Sequence, residues 1–131
     1  MDRIDRMKNR EFLHKELTEK IIEACFEVMT ELGSGFMESV YEKSLLIALS
    51  QKGLDSQSQV PLKVKFRGAV VGEYFADILV NETIVVELKT VKALLPEHQA
   101  QVINYLKATG KEVGLLINFG TPKLEVRRLH N

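Results

Sequence analysis

The sequence describes one mixed α/β domain, with two helices ahead of three strands and a third helix ahead of two more. Apolar residues recur about every four positions as far as Gly53, then about every two, and return to helical spacing only after Pro96. The length permits a single core. A chain of 131 residues and 14.9 kDa exposes roughly 7,000 Å² folded against about 21,000 Å² unfolded. An apolar share of 45% with 27% charged residues is that of an ordinary globular domain.

Residues 1–13 carry no clear period and read as a loose arm ahead of a domain spanning 14–131. From Leu17, the residues Ile21, Cys25, Val28 and Leu32 define a helix face, which Gly33-Ser34-Gly35 ends. A second helix is expected from about Phe36 to Lys52, burying Met37, Tyr41, Leu45, Ala48 and Leu49. Leu54 to Gln59 read as polar loop. Leu62, Val64 and Phe66 then alternate with Lys63 and Lys65 in a half-buried strand, and Pro61 suits its start or an edge. Arg67-Gly68 is a turn signal. Ala69–Val80 and Thr83–Val91 form the next two strands, joined by a turn at Asn81-Glu82. Pro96 opens a helix to about Ala108, closed by Gly110. Val113–Asn118 is a continuous apolar run, as in a buried strand, and Leu124–Leu129 is the last strand.

Charge and cysteine content exclude several function classes. Eighteen basic and eighteen acidic residues leave a net charge of zero. That excludes a strongly basic nucleic-acid sleeve, an acidic tail protein and a polybasic membrane binder. A nucleic-acid partner would have to be met by a local patch, by a homo-oligomer or through a partner protein. One cysteine, Cys25, forms no disulfide within the chain and no thiolate cluster. No window approaches a membrane span, and the first residues lack a leader-like apolar segment, so the expected location is the cytoplasm.

The second and third strands bring chemistry together. A turn at Asn81-Glu82 sets Asp77 opposite Val86 or Glu87, with Cβ atoms of opposed residues about 5 Å apart. Two carboxylates side by side in apolar strands repel and are costly to bury unless something positive compensates them. A divalent cation is one compensator, since hard cations take carboxylate oxygens. Lys89 is another, two residues beyond Glu87 and on the same strand face. Carboxylates, a divalent cation and a lysine are what metal-assisted phosphodiester hydrolysis requires. An acid-x-Lys triplet arises by chance in such a composition, and a solvated ion pair is the plainer explanation. Placement between apolar residues, with a second acid across the hairpin, is what favours a site.

Asp77 followed by Glu87-Leu88-Lys89 on adjacent strands, between two helices, resembles the PD-(D/E)XK nuclease superfamily. Gln101-Val102-Ile103-Asn104-Tyr105 is similar to the Gln-hydrophobic-x-x-Tyr motif of its exonuclease-like branch. Gly35-Phe36-Met37-Glu38-Ser39-Val40-Tyr41, with Tyr105-Leu106-Lys107 and Gly114–Phe119, resembles the small bacterial GxxExxY family, a match covering the chain from about Thr18. The resemblance implies an α-β-β-β-α-β core carrying an extra N-terminal helix and a C-terminal strand, a mixed sheet flanked by helices. It implies Mg²⁺ or Mn²⁺ on Asp77, Glu87 and the Leu88 carbonyl, with Glu38 as a further candidate contact. It also implies Lys89 as the catalytic lysine, Gln101 as a supporting residue, and DNA or RNA as the substrate. Ala76 stands where the superfamily carries proline.

Plainer roles stand beside these. Glu38 in a first helical turn favours the helix dipole whatever else it does. Tyr41 and Tyr105 read as core residues with bonded hydroxyls, and Gln101 as satisfying a nearby backbone group. His98 reads as a surface histidine and Cys25 as an inert core residue. Lys63, Lys65 and Arg67 read as a solvated strand face that is also able to meet a nucleic-acid backbone. Two function classes follow: a metal-dependent nuclease, or a non-catalytic nucleic-acid-binding or assembly module that keeps the nuclease fold.

Overall fold

A computed structural model describes residues 14–131; the expected arm at 1–13 lies outside the described residues. Helix α1 spans Lys15–Leu32 and α2 spans Glu38–Gln51. Three strands follow, β1 (Ser56–Phe66), β2 (Ala69–Val80) and β3 (Ile84–Lys89), then helix α3 (Pro96–Thr109), β4 (Val113–Asn118) and β5 (Glu125–His130). The strands form one sheet in the order β1-β2-β3-β4-β5. Only β3 and β4 run parallel, with α3 as the crossover between them; the other neighbours are antiparallel.

Helices cover both faces. On one, Ile21, Cys25 and Val28 of α1 and Tyr41, Leu45 and Leu49 of α2 pack on Ile78, Val80, Ile84, Val86, Leu88, Leu115 and Ile117. On the other, Tyr105 and Leu106 of α3 pack on Leu62, Ala76, Leu79 and Val85. Both faces of β4 are buried, which is why its sequence is an unbroken apolar run. Each large aliphatic side chain in these clusters contributes about 1.5–3 kcal/mol by leaving water. Among the described residues, no helix is long and apolar enough to cross a membrane.

Several boundaries differ from expectation. The segment expected as polar loop is already strand: Ser56, Gln57 and Ser58 pair with Val80, Leu79 and Ile78. Its Ser-Gln-Ser-Gln run shows no apolar alternation because β1 is an edge strand, and the ladder to β2 supplies the partners. Pro61 therefore lies inside the strand rather than at its start, which an edge strand tolerates. Helix α2 begins at Glu38, because Phe36 and Met37 remain exposed ahead of it. Strand β3 ends at Lys89, where Phe119 N–H donates to the Lys89 carbonyl (2.8 Å) and draws the chain toward β4. The expected turn at Asn81-Glu82 is present, both residues having positive φ (50° and 54°).

Candidate active site

The sheet is irregular where chemistry is expected. Ile78 and Ala76 are two apart on β2 and should share a face, yet Ile78 belongs to the α1–α2 core and Ala76 to the α3 core. The change of face falls on Asp77. Its neighbour on β1, Gln59, is held at φ 52°, and the β1–β2 ladder passes over both. Beyond Ile78↔Val86 the β2–β3 ladder stops and the strands part. Asp77 and Glu87 stand across this fork.

Side chains take over where backbone pairing ends. Asp77 Oδ2 accepts the Leu88 N–H at 2.8 Å, and Glu87 Oε1 accepts the Asp77 N–H at 3.3 Å. Gln59 Nε2 donates to Asp77 Oδ1 (3.3 Å) and to Glu42 Oε1 on α2 (2.9 Å). A strand residue directs its N–H and C=O to the same edge. The Leu88 carbonyl therefore faces the fork along with its N–H.

Glu87 is only 6% exposed. Burial, and then the neighbouring Asp77 charge, push its carboxyl up to about 8, while the Asp77 N–H and the Lys89 ammonium act in the opposite direction. Glu38, first residue of α2, is likewise held above the usual carboxylate range by burial, Asp77 and Glu42, partly offset by Lys89. Asp77, Glu87, Lys89 and Glu38 thus share one electrostatic neighbourhood. Among the described residues no three His, Cys, Asp or Glu side chains gather closely enough to hold a metal, so Glu38 stands outside the carboxylate pair itself.

Gln101 stands further off. It is exposed on α3, its side chain lies against the Tyr105 hydroxyl, and no hydrogen bond joins it to Asp77 or Glu87. Tyr105 links the two regions. Burial, Glu87, Tyr74 and Asp77 push its hydroxyl up to about 12, while Gln101 lowers it slightly.

The Gly35–Tyr41 segment, which contains Glu38, is anchored through Tyr41. Tyr41 is fully buried and its ring stacks on Phe119 with centroids 4.5 Å apart. Its hydroxyl donates to the Gly33 carbonyl (2.6 Å) and accepts the Phe36 N–H (3.2 Å). These bonds fasten the loop that precedes Glu38. The other plainer readings agree with the structure. Cys25 is buried, and burial pushes its thiol up to about 12. His98 Nδ1 accepts the Leu95 N–H at 3.0 Å, closing the first turn of α3. Lys63, Lys65 and Arg67 are exposed on the β1–β2 hairpin, the Arg67 guanidinium 4.9 Å from the Phe66 ring centroid.

Two contributors were not singled out as site residues in the sequence. Gln59 falls in the segment that reads as polar loop, and no local pattern marks its bridging role. Asn118 is fully buried: its carboxamide accepts from Val91 and Gly120 N–H and donates to the Val91 carbonyl and Glu125. It thereby fixes the chain just beyond Lys89. A lone amide closing an apolar run was the available signal.

Fold and site define a mixed-sheet α/β domain with an acidic pair and a lysine where two central strands part. The model of the PD-(D/E)XK nuclease superfamily matches residues 15–129, and the chain belongs to that superfamily. Among solved structures, one titled "Crystal structure of SSO0001" shares the fold at a TM-score of 0.57 and 21% identity. The match covers 94% of this chain and 61% of that one, so the chain spans less than two thirds of its length. No curated protein sequence matches it.

Proposed function

We propose that this chain is a divalent-metal-dependent nuclease that hydrolyses phosphodiester bonds of DNA or RNA. The observation that carries the reading is the Asp77–Glu87 pair, cross-bonded at the fork, with Lys89 one step further along the strand face that carries Glu87. Membership of the superfamily supports it. The donor set suits Mg²⁺ or Mn²⁺: carboxylate oxygens on Asp77 and Glu87, and a Leu88 carbonyl facing the same gap. Such cations bind through one or two protein carboxylates and take further oxygens from water and phosphate. The raised Glu87 carboxyl marks a charge pair that a cation would relieve.

When bound, the cation supplies Lewis acidity toward the scissile phosphate. The protein's own groups do the rest. Asp77 and Glu87 fix where the phosphate can approach. The Lys89 ammonium, with no ion pair among the described residues, is available to offset charge developing on the phosphate. Glu38 supports Lys89 electrostatically from α2, and Gln101 acts through Tyr105. The Gly35–Glu38–Tyr41 pattern supports assignment to the GxxExxY branch.

The deciding experiment is cleavage of mixed DNA and RNA substrates with Mg²⁺ or Mn²⁺, beside Glu87→Ala and Lys89→Ala prepared identically. Metal-dependent cleavage lost in both variants is the expected result. The competing reading, a non-catalytic binding or assembly module, is favoured by the lack of a third carboxylate in the cluster among the described residues. It predicts no cleavage by any form and no rise in melting temperature with Mn²⁺.

A further inference from the structure

A groove of about 390 Å³ lies between the β1–β2 hairpin and α3. Its lining includes Tyr74 from β2 and Tyr105, Gln101 and Asn104 from α3, with His98 and Glu97 at the first turn of that helix. The Tyr74 and Tyr105 rings are 5.0 Å apart between centroids and inclined at 51°. Tyr105 is buried, whereas Tyr74 is 44% exposed. The groove lies toward the carboxylate fork, since Tyr105 packs in one cluster with Ala76, the residue next to Asp77, and Tyr74 precedes Asp77 by three residues on β2.

The chemistry of the lining selects the occupant. Among the described residues no Lys or Arg lines the groove and Glu97 does, so a phosphate is disfavoured there. Aromatic faces with carboxamides are instead what a nucleobase requires: stacking on the ring, and a paired donor and acceptor for the base edge. The Asn104 carboxamide has no partner among the described residues and is exposed. His98 Nδ1 is already engaged by the Leu95 N–H, which leaves its other ring nitrogen for a ligand.

We propose that this groove is a nucleobase subsite, in which one unpaired base stacks on Tyr74 and is read by Asn104 while its strand passes the Asp77–Glu87 fork. The inference rests on the nuclease reading and adds to it a preference for single-stranded or frayed substrate. A base held in a duplex stack cannot enter without being unpaired first.

The test is fluorescence anisotropy of labelled DNA and RNA homopolymers and of a closed duplex, in chelator to prevent turnover. Wild type is compared with Tyr74→Leu and Asn104→Ala, and cleavage in Mn²⁺ is followed in parallel. Tyr74→Leu should weaken single-strand binding about tenfold and leave duplex binding unchanged. Asn104→Ala should keep most of the affinity but level the differences among the four bases. Because Asn104 is an exposed helix residue, that variant keeps the test alive if Tyr74→Leu fails to fold. Wild-type affinity and base ranking in Asn104→Ala, and in Tyr74→Leu where it folds, overturn the subsite while leaving the nuclease reading intact. A dimer dissolved by Tyr74→Leu with strand binding unchanged also overturns it. A wild type that neither binds nor cleaves any strand removes the nuclease reading, and the subsite with it.

Discussion

Glu87→Gln should stabilise the metal-free protein, increasingly so as pH rises. A carboxyl whose folded-state value lies above its unfolded one costs stability once it ionises. Below pH 4.5 Glu87 is protonated in both states and costs nothing; the cost grows with pH and is complete above about 8. At about 1.4 kcal/mol per unit, that interval has a ceiling of about 5 kcal/mol. Glutamine removes the charge and keeps an oxygen to accept the Asp77 N–H. It also brings an amide N–H₂ into a site with 6% exposure, which offsets about 1–2 kcal/mol. The net gain at pH 8.5 is then roughly 3 kcal/mol, or roughly 10 °C in melting temperature for a domain of this size.

Thermal melts of both proteins in chelator at pH 5, 7 and 8.5 read this directly, and the gap should open with pH. Adding Mn²⁺ should raise the wild type by mass action and leave Glu87→Gln unmoved, so that the metal narrows the gap. A variant no more stable than wild type at pH 8.5 would refute the reasoning. It would mean that Lys89 already compensates the pair and that no cation is called for.

Three further outcomes are expected. Tyr41→Phe, which removes the hydroxyl holding Gly33 and Phe36, should cost about 1–2 kcal/mol in urea denaturation and lower cleavage by loosening the loop before Glu38. Gly120→Ala should cost about 2–4 kcal/mol by the same method, because a Cβ there would overlap the backbone of Thr90 and Val91, which has little freedom to shift. Cys25 should react with a thiol-specific reagent only as fast as the protein opens, since its thiol is buried and pushed up to about 12; rapid labelling of native protein would contradict the α1 packing.

Much of this fold is legible because burial leaves a period in the sequence. The α1 face, the even positions of β3 and the unbroken run of β4 are each dictated by the layers that cover them. The Asp77–Glu87 juxtaposition is legible too, since a tight turn at Asn81-Glu82 leaves only two registers. What was hidden depends on pairing between distant segments. Ser56–Ser58 become strand because β2 presents a ladder to them, and nothing in alternating serine and glutamine announces it. The role of Asn118 depends on the loop at Val91, 27 residues away, and that of Gln59 on Asp77 and Glu42.

The fork explains why an acid at position 77 is compatible with this sheet at all. In a regular antiparallel pair the Leu88 N–H would be bonded by a backbone carbonyl of β2, and the strands would stay closed beyond Ile78↔Val86. Here the Asp77 carboxylate supplies that acceptor. The strands can part without leaving a buried donor unpaired, a fault that would cost about 1–3 kcal/mol. The same substitution brings Asp77 against Glu87 and directs the Leu88 carbonyl into the gap. One side chain therefore both opens the sheet and furnishes the opening with oxygen donors. The repulsion it creates with Glu87 is the local expense of that opening, and it is the charge pair that the proposed cation would relieve.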